Sequence, residues 1–367
     1  MAFRLRIENF RALRHVDWRP VGVCALVGPN ASGKTTLLDV PAMLGDALDR
    51  GLSRAFEEHG GLDALRTLAV PDSEEISFDV ALGELSWRLV PSQTGSGFLP
   101  WERVFRGGEV VATRERSSTM VTLNGKTVQA DDQLAAGLLF DVEPTLKPLA
   151  DLLTRYRLYG SYDLRELRRR GSDESTERRL SRRGANVFSV LRNWRDRRAD
   201  KHRFDFVLDG LRQIFPSFFD DLEFSKAAQI VGGELRIRPY DKLISTGLAP
   251  DGWFVALLHL TAVASTDPDD VIAIDELENA LHPHAIKVLI ELIRDWSKQH
   301  HVTVLLATHS PVLLDAFRDC PEQLYVMEPG RDVLPVALSE LREPSWLNHF
   351  ALGDLYAHDE FGAPSVP

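Results

Sequence analysis

The sequence predicts an α/β protein with a mixed or parallel sheet core, and three observations predict it. Val21–Val27, Val271–Ile274 and Val302–Ala307 are continuous apolar runs of strand length. Each leads through polar or glycine-rich residues into a helical pattern. These units lie toward the two ends of the chain, with a β-rich stretch and a helical stretch between them. That arrangement describes a doubly wound core carrying insertions.

Taken in order, Phe3, Leu5 and Ile7 alternate as a half-buried strand does, and Val21–Val27 follows as a buried one. From Ile76 to Val128 the chain is β-rich. ISFDVAL and LSWRLV alternate, and Asn124-Gly125 marks a two-residue hairpin turn. From Asp131 to about Phe219 the pattern is helical, interrupted by prolines and glycines. A short strand is expected at Gly233–Arg238, an apolar helix at Gly252–Ala264 and a helix at Pro283–Lys298. Leu324–Met327 reads as the last strand. The expected division is 1–130 (β-rich N-terminal part), 131–225 (inserted helical lobe), 226–345 (C-terminal part of the core) and 346–367 (tail).

Composition narrows the class. Of 367 residues, 44% are hydrophobic and 26% charged, which excludes collagen, wholesale disorder and a disulfide scaffold. Cys24 and Cys320 are far apart and form no CxxC pair, as expected for a reducing compartment and against a zinc ribbon. The longest apolar run, Trp253–Ala264, falls short of the roughly 20 residues a membrane span needs. The N-terminus is charged from Arg4 and has no apolar signal region, so a cytoplasmic address is expected. The net charge is −11, yet Arg165–Arg203 holds 14 Lys+Arg against 6 Asp+Glu. Such a segment either meets an anionic partner such as DNA or pairs internally with acids of the same chain.

The chemistry concentrates at strand ends. Gly28-Pro29-Asn30-Ala31-Ser32-Gly33-Lys34-Thr35 fits GxxxxGK[ST] at every defined position, between a strand and a helix. Glycines let backbone N–H groups curl round a β-phosphate, and the helix N-terminus adds partial positive charge. Lys34 reaches the β/γ oxygens, Thr35 offers a hydroxyl to Mg²⁺, and Thr36 continues the first helical turn. Val271-Ile-Ala-Ile-Asp275-Glu276 delivers two acids at a strand end, Asp275 for Mg²⁺ and Glu276 for the attacking water. Val302–Ala307 ends in Thr308-His309, placing an imidazole where a γ-phosphate would be contacted.

These residues make the chain resemble the ABC-type ATPases of the SMC/RecF/OLD group, in particular the short members without a TOPRIM domain. IENFRALRHVDW with VCALVGPNASGKTTLLD, IAIDELENALHPHAIKVLIELI, VLLATHSPVLLDAF, GANVFSVLRNWR and LGDLYAHDEFG all carry the resemblance, which thus touches both ends and the middle. It implies an ABC-type P-loop ATPase head with a β-rich N-terminal lobe and an inserted helical lobe. It also implies ATP and Mg²⁺ as ligands and a homodimer with ATP sandwiched between two heads. In that pattern Glu276 is the catalytic acid, followed by the D-loop, and His309 belongs to the H-loop. Two departures stand out. The signature serine–glycine is irregular, with Ser245-Thr246-Gly247 and Pro250-Asp251-Gly252 as candidates. Gly252 is favoured because it directly precedes the apolar helix. The second departure is that no glutamine has the context of the family's Q-loop.

Only 58 positions follow His309, fewer than the roughly 100 residues of an ordinary nuclease domain. The expected protein is therefore an ATPase governing a separately encoded effector, with a TOPRIM-like nuclease in anti-phage defence or DNA maintenance as the model. A protein-gating switch without nucleic acid is the alternative, and a transporter's ATPase subunit a minor one.

Overall fold

The structure is a computed structural model of the chain. It describes residues 3–68, 70–71, 74–94, 97–130, 133–240, 242–328, 331–343, 347, 349–358 and 360–362. The chain separates into two compact units. One comprises Met1–Tyr156, Cys320–His349 and Leu355–Pro367, the other Arg157–Asp319 and Phe350–Asp354.

The first unit begins with β1 (Phe3–Phe10), β2 (Leu13–Trp18) and β3 (Val23–Val27), then α1 (Lys34–Arg50), α2 (Leu52–Glu58) and α3 (Gly61–Leu65). Strands β4 (Ser77–Leu82), β5 (Leu85–Val90), β6 (Gln93–Thr94), β7 (Gly97–Phe98), β8 (Trp101–Arg106), β9 (Glu109–Arg114), β10 (Met120–Leu123) and β11 (Lys126–Gln129) follow. Eight of these form an antiparallel sheet in the order β11-β10-β9-β8-β5-β4-β1-β2. Successive side chains alternate across it. Leu5, Ile7, Phe78, Val80, Trp87, Leu89 and Val104 are buried on the inner face. The outer face carries Asp17, Arg6, Asp79, Arg88 and Arg103 in register, a row in which neighbouring charges mostly oppose. Asn124 and Gly125 both take positive φ, 47° and 78°, giving the tight turn between β10 and β11 that their sequence predicts.

Helices α4 (Ala135–Val142) and α5 (Lys147–Arg155) complete this part of the unit. Residues 131–156 were expected with the helical insertion, and the structure groups them with the β-rich unit instead. The reason is packing on α1. The Leu153 carbonyl lies so close to Gly45 that a Cβ there would stand 2.3 Å from its oxygen. The Tyr156 hydroxyl donates to the Leu38 carbonyl at 2.6 Å. The chain re-enters the unit with β19 (Leu324–Val326) and β20 (Val336–Ala337). Strand β19 is parallel to β3, with Leu324 opposite Ala25.

The second unit contains β12 (Arg157–Tyr159), α6 (Leu164–Arg170), β13 (Ser172–Asp173), α7 (Val187–Asp196) and α8 (Lys201–Ile214). An antiparallel sheet of β13, β14 (Phe219–Ala227), β15 (Ile230–Ile237) and β16 (Lys242–Ser245) comes next. The strand expected near Gly233 is its central member, β15, and begins earlier than the sequence suggests. Strand β14, whose polar DDLEFSK hides any alternation, has a register irregularity between Phe219 and Asp221. Helix α9 (Asp251–Ala264) is buried at every residue from Trp253 onward, which explains why its apolar residues show no stripe. Strands β17 (Val271–Asp275) and β18 (Thr303–Ala307), with α10 (Pro283–His300) between them, and α11 (Pro311–Asp315) complete the unit. β12, β17 and β18 are parallel neighbours, with Tyr159 opposite Ile274 and Asp275 opposite Ala307.

Candidate nucleotide site

In the first unit, buried β3 ends at Val27 and the chain turns sharply into α1. Gly28 has φ 154°, and a Cβ there would stand 2.4 Å from the Met327 carbonyl oxygen, so no larger residue fits. Ala31 and Gly33 also take positive φ, 63° and 97°. Backbone in this region turns successive N–H groups toward one centre. Gly33 heads α1 without a side-chain cap, at a helix N-terminus whose partial positive charge favours an anion. The Ser32 hydroxyl oxygen is buried without a partner among the described residues, a second polar group of the loop fit for a ligand.

Lys34 is only 7% exposed, and its ammonium donates to the loop's own Gly28 and Pro29 carbonyls at 2.8 and 2.9 Å. The positive charge is thereby held over the loop. Pro29 and Thr36 are half-buried, while Asn30 and Thr35 are exposed. Beside the loop a cavity of about 550 Å³ is lined by Arg14, His15, Ala31, Ser32, Arg331 and Leu334 among others.

In the second unit, β17 delivers Asp275, half-buried, and Glu276, exposed. Gly160 follows β12 and crosses behind Asp275, where a Cβ would meet the Asp275 carbonyl oxygen at 2.6 Å. The Glu276 backbone N–H donates to Ala307 at 2.9 Å, and its φ is 52°. A non-glycine residue in the left-handed region is strained, and such strain concentrates at functional positions. Asn279 Nδ2 donates to Glu276 Oε2 at 2.6 Å. Glu278, in the turn after β17, reaches the end of β18. Its Oε1 accepts from Thr308 Oγ1 and from the His309 backbone N–H, both at 2.9 Å. The sequence offered no signal for this contact, because the partners lie some 30 positions away.

Gly252 sits in the first turn of α9, where a Cβ would stand 2.7 Å from the Ala280 carbonyl oxygen. This packing against the turn after β17 leaves no room for a side chain at that position. The Ser245 side chain accepts from the Gly247 N–H at 3.2 Å and so caps a short 3₁₀ turn. His282 likewise caps α10, its Nδ1 accepting from the His284 N–H at 3.2 Å. Deep in the unit, Tyr162 Oη and His259 Nδ1 are 3.1 Å apart, and burial pushes His259 down to about 3.

The basic segment is largely spent on acids of its own unit. Arg179 pairs with Asp267 at 2.6 Å and Asp270 at 2.9 Å, and Arg203 with Asp267 at 2.8 Å. Arg178 pairs with Asp200. Arg168 contacts Asp251 and donates to the Ala249 carbonyl at 2.9 Å, bracing the start of α9. Among the described residues no group of three or more metal-ligating side chains occurs, and no helix is long and apolar enough to cross a membrane. Single oxygen donors such as Thr35 and Asp275 suit Mg²⁺, which keeps waters and takes substrate phosphate rather than a protein cage.

The fold is that of Smc head domains, an α/β fold of the ABC-type P-loop ATPase head, and the glycine-rich loop and the acid pair each follow a buried strand of it. Residues 136–315 match the family described as "AAA domain, putative AbiEii toxin, Type IV TA system". The match takes in Asp275, Glu276 and His309 and begins after the phosphate loop. Two solved structures share the fold. One is an Smc head bound to the C-winged helix domain of ScpA, at 13% identity and TM-score 0.50, covering 92% of this chain and 99% of that one. The other is an Smc head with an extended coiled coil, bound to the C-terminal domain of ScpA derived from Pyrococcus furiosus. It is 12% identical with TM-score 0.51 and covers 92% of this chain and 96% of that one. No curated protein matches the chain.

Proposed function

We propose that the protein binds ATP with Mg²⁺, hydrolyses it, and uses the cycle to govern a separately encoded effector protein. The observation that carries the reading is Glu276. It is a strained, exposed acid directly after Asp275, held by Asn279 at a strand end. In this reading the Gly28–Thr36 loop binds the phosphates through backbone N–H groups, and Lys34 leaves its loop carbonyls for the β/γ oxygens. Mg²⁺, taken by Thr35 and Asp275, would neutralise charge on the phosphates. Glu276 accepts the proton of the attacking water, and His309 steadies the γ-phosphate as the bond breaks. The cavity beside Ala31 suits the nucleoside.

The ATP-sandwich homodimer belongs to this reading through the family resemblance, with Gly252 at the start of α9 as the residue facing the second nucleotide. The Smc heads with ScpA domains support a protein effector, and a role in anti-phage defence or DNA maintenance is carried by the family resemblance. DNA is the expected trigger if the remaining basic charge of Arg165–Arg203 is used outside the chain. A protein-gated switch without nucleic acid is favoured instead by the pairing of Arg168, Arg178 and Arg179 with carboxylates of their own unit.

The test is the steady-state ATPase rate with and without linear double-stranded DNA, with Glu276→Gln as the blank. A rate that DNA raises and the variant abolishes supports the DNA-triggered form. A DNA-insensitive rate supports the protein-gated form. No rate above the blank refutes autonomous hydrolysis.

A further inference from the structure

We propose that the turn after β17 carries its own positioning residues, Glu278 aiming His309 and Asn279 aiming Glu276. The inference rests on the hydrolytic reading and adds two residues to it.

β17 and β18 end in register, Asp275 opposite Ala307, so the two polar segments leave the same sheet edge. Two strands joined only by a ladder leave the chain beyond it free to move. Glu278 removes that freedom. One carboxylate oxygen takes a side-chain donor and a backbone donor from consecutive residues, Thr308 and His309. A two-point attachment fixes direction as well as distance. The backbone beneath is equally constrained. Glu276 and Ala280 both have positive φ, Glu276 N–H bonds to Ala307, and Leu281 N–H closes on the Glu278 carbonyl at 3.0 Å.

The second oxygen of Glu278, Oε2, is buried and has no hydrogen-bond partner among the described residues. Stability alone disfavours an unpaired buried acceptor. Local rules broken without structural gain point to function. Asn279 acts on the other group. Its amide donates to Glu276 Oε2 at 2.6 Å and restricts the rotamers of an otherwise exposed acid. Orientation of this kind changes rate rather than binding, and a misplacement of about 1 Å costs on the order of a hundredfold.

The experiment measures kcat, KM and ATP affinity for the wild type, E276Q, E278A, E278Q, T308V and N279A. E278A and N279A are expected to lower kcat by roughly ten- to a hundredfold, with ATP affinity within about twofold of wild type. E278Q keeps an acceptor carbonyl and recovers most of the rate. Wild-type kcat in E278A and N279A, or a rate in E278Q as low as in E278A, overturns the proposal. If E278A fails to fold, T308V decides. It deletes one of the two bonds and must lower kcat at unchanged KM, and an unchanged kcat overturns the proposal. The two readings fail differently. A wild type no faster than E276Q refutes hydrolysis itself, whereas a hydrolysing wild type matched by E278A refutes only the positioning role.

Discussion

Glu102 and Arg114 face each other at 3.6 Å, and neither side chain has any exposed surface. Glu102 Oε2 also accepts from the Ala135 N–H at 2.8 Å, at the first residue of α4, and Oε1 accepts from Trp87 Nε1 at 3.1 Å. Arg114 donates in turn to the Gln133 and Ser118 carbonyls. One buried pair thus ties the antiparallel sheet to the start of α4. Burial drives the Glu102 carboxyl upward, and the Ala135 N–H and Arg114 oppose that shift. Arg114→Met leaves the carboxylate uncompensated and should cost about 3–5 kcal/mol. Arg114→Met with Glu102→Leu should recover much of that loss. Urea unfolding of the three proteins checks this, and a single-variant loss below about 1 kcal/mol, the range of exposed pairs, contradicts it.

Burial gives the second prediction its sign. His259 titrates near 3 in the folded protein, against about 6.5 in an unfolded chain. Between those values the unfolded state binds a proton that the native state does not. Its contribution to stability is therefore complete above about pH 6.5 and is lost as pH falls toward 3, by up to about 1.4 kcal/mol per unit. His259→Phe removes this component. The gap between unfolding midpoints at pH 7.5 and pH 5 should be smaller in the variant, and an equal gap refutes the assignment.

Two helical glycines should respond in opposite directions. At Gly45 a Cβ meets the Leu153 carbonyl oxygen at 2.3 Å, so Gly45→Ala must push α5 away and cost about 1–3 kcal/mol. At Gly137, inside α4, the nearest atom to a Cβ is 3.8 Å away. Gly137→Ala should be neutral or stabilising by about 0.4–1 kcal/mol, because alanine restricts the unfolded chain. Thermal melts of both variants decide the matter. Equal behaviour would mean that α5 does not hold its place on α1.

Nucleotide binding should separate from hydrolysis by residue. Lys34→Ala removes the charge held over the loop and should weaken ATP binding by about ten- to a hundredfold, the value of one or two charge-assisted hydrogen bonds. Glu276→Gln should keep ATP binding and lose turnover. Chelation of Mg²⁺ should abolish turnover in the wild type. A fluorescent ATP analogue reports binding and phosphate release reports turnover. Tight binding by Lys34→Ala would refute the phosphate-loop reading.

Legibility followed the distance over which each feature is determined. The strand–turn–helix around Gly28–Thr35 and the place of the acid pair after β17 could be read because each strand and the turn that follows it are contiguous. Asn124-Gly125 announced its hairpin for the same reason. β12 escaped notice because three residues, Arg157–Tyr159, cannot display a period, and only its pairing with β17 makes it a strand. β14 was masked by its acids and its irregular register. The glycine at 252 was conspicuous, but its close approach to Ala280 could not be foreseen. The charge of Arg165–Arg203 was plain, while the acids that meet it, Asp267 and Asp270 among them, lie far along the chain.

The approach of Met327 to Gly28 bears on how the molecule comes into being. The neighbour that confines Gly28 is made about 300 positions after it, and so is β19, the strand that pairs with β3. The hairpins of residues 77–129 join near neighbours and can close early, whereas the pairing of Ala25 with Leu324 is among the longest loops the chain must close. During synthesis the phosphate loop therefore emerges among the first segments and receives its final shape among the last. A ribosome-bound fragment ending before Leu324 would carry every residue of the loop without the wall that shapes it. On the proposed function, the loop would take its phosphate-ready shape only once Leu324–Met327 has been made.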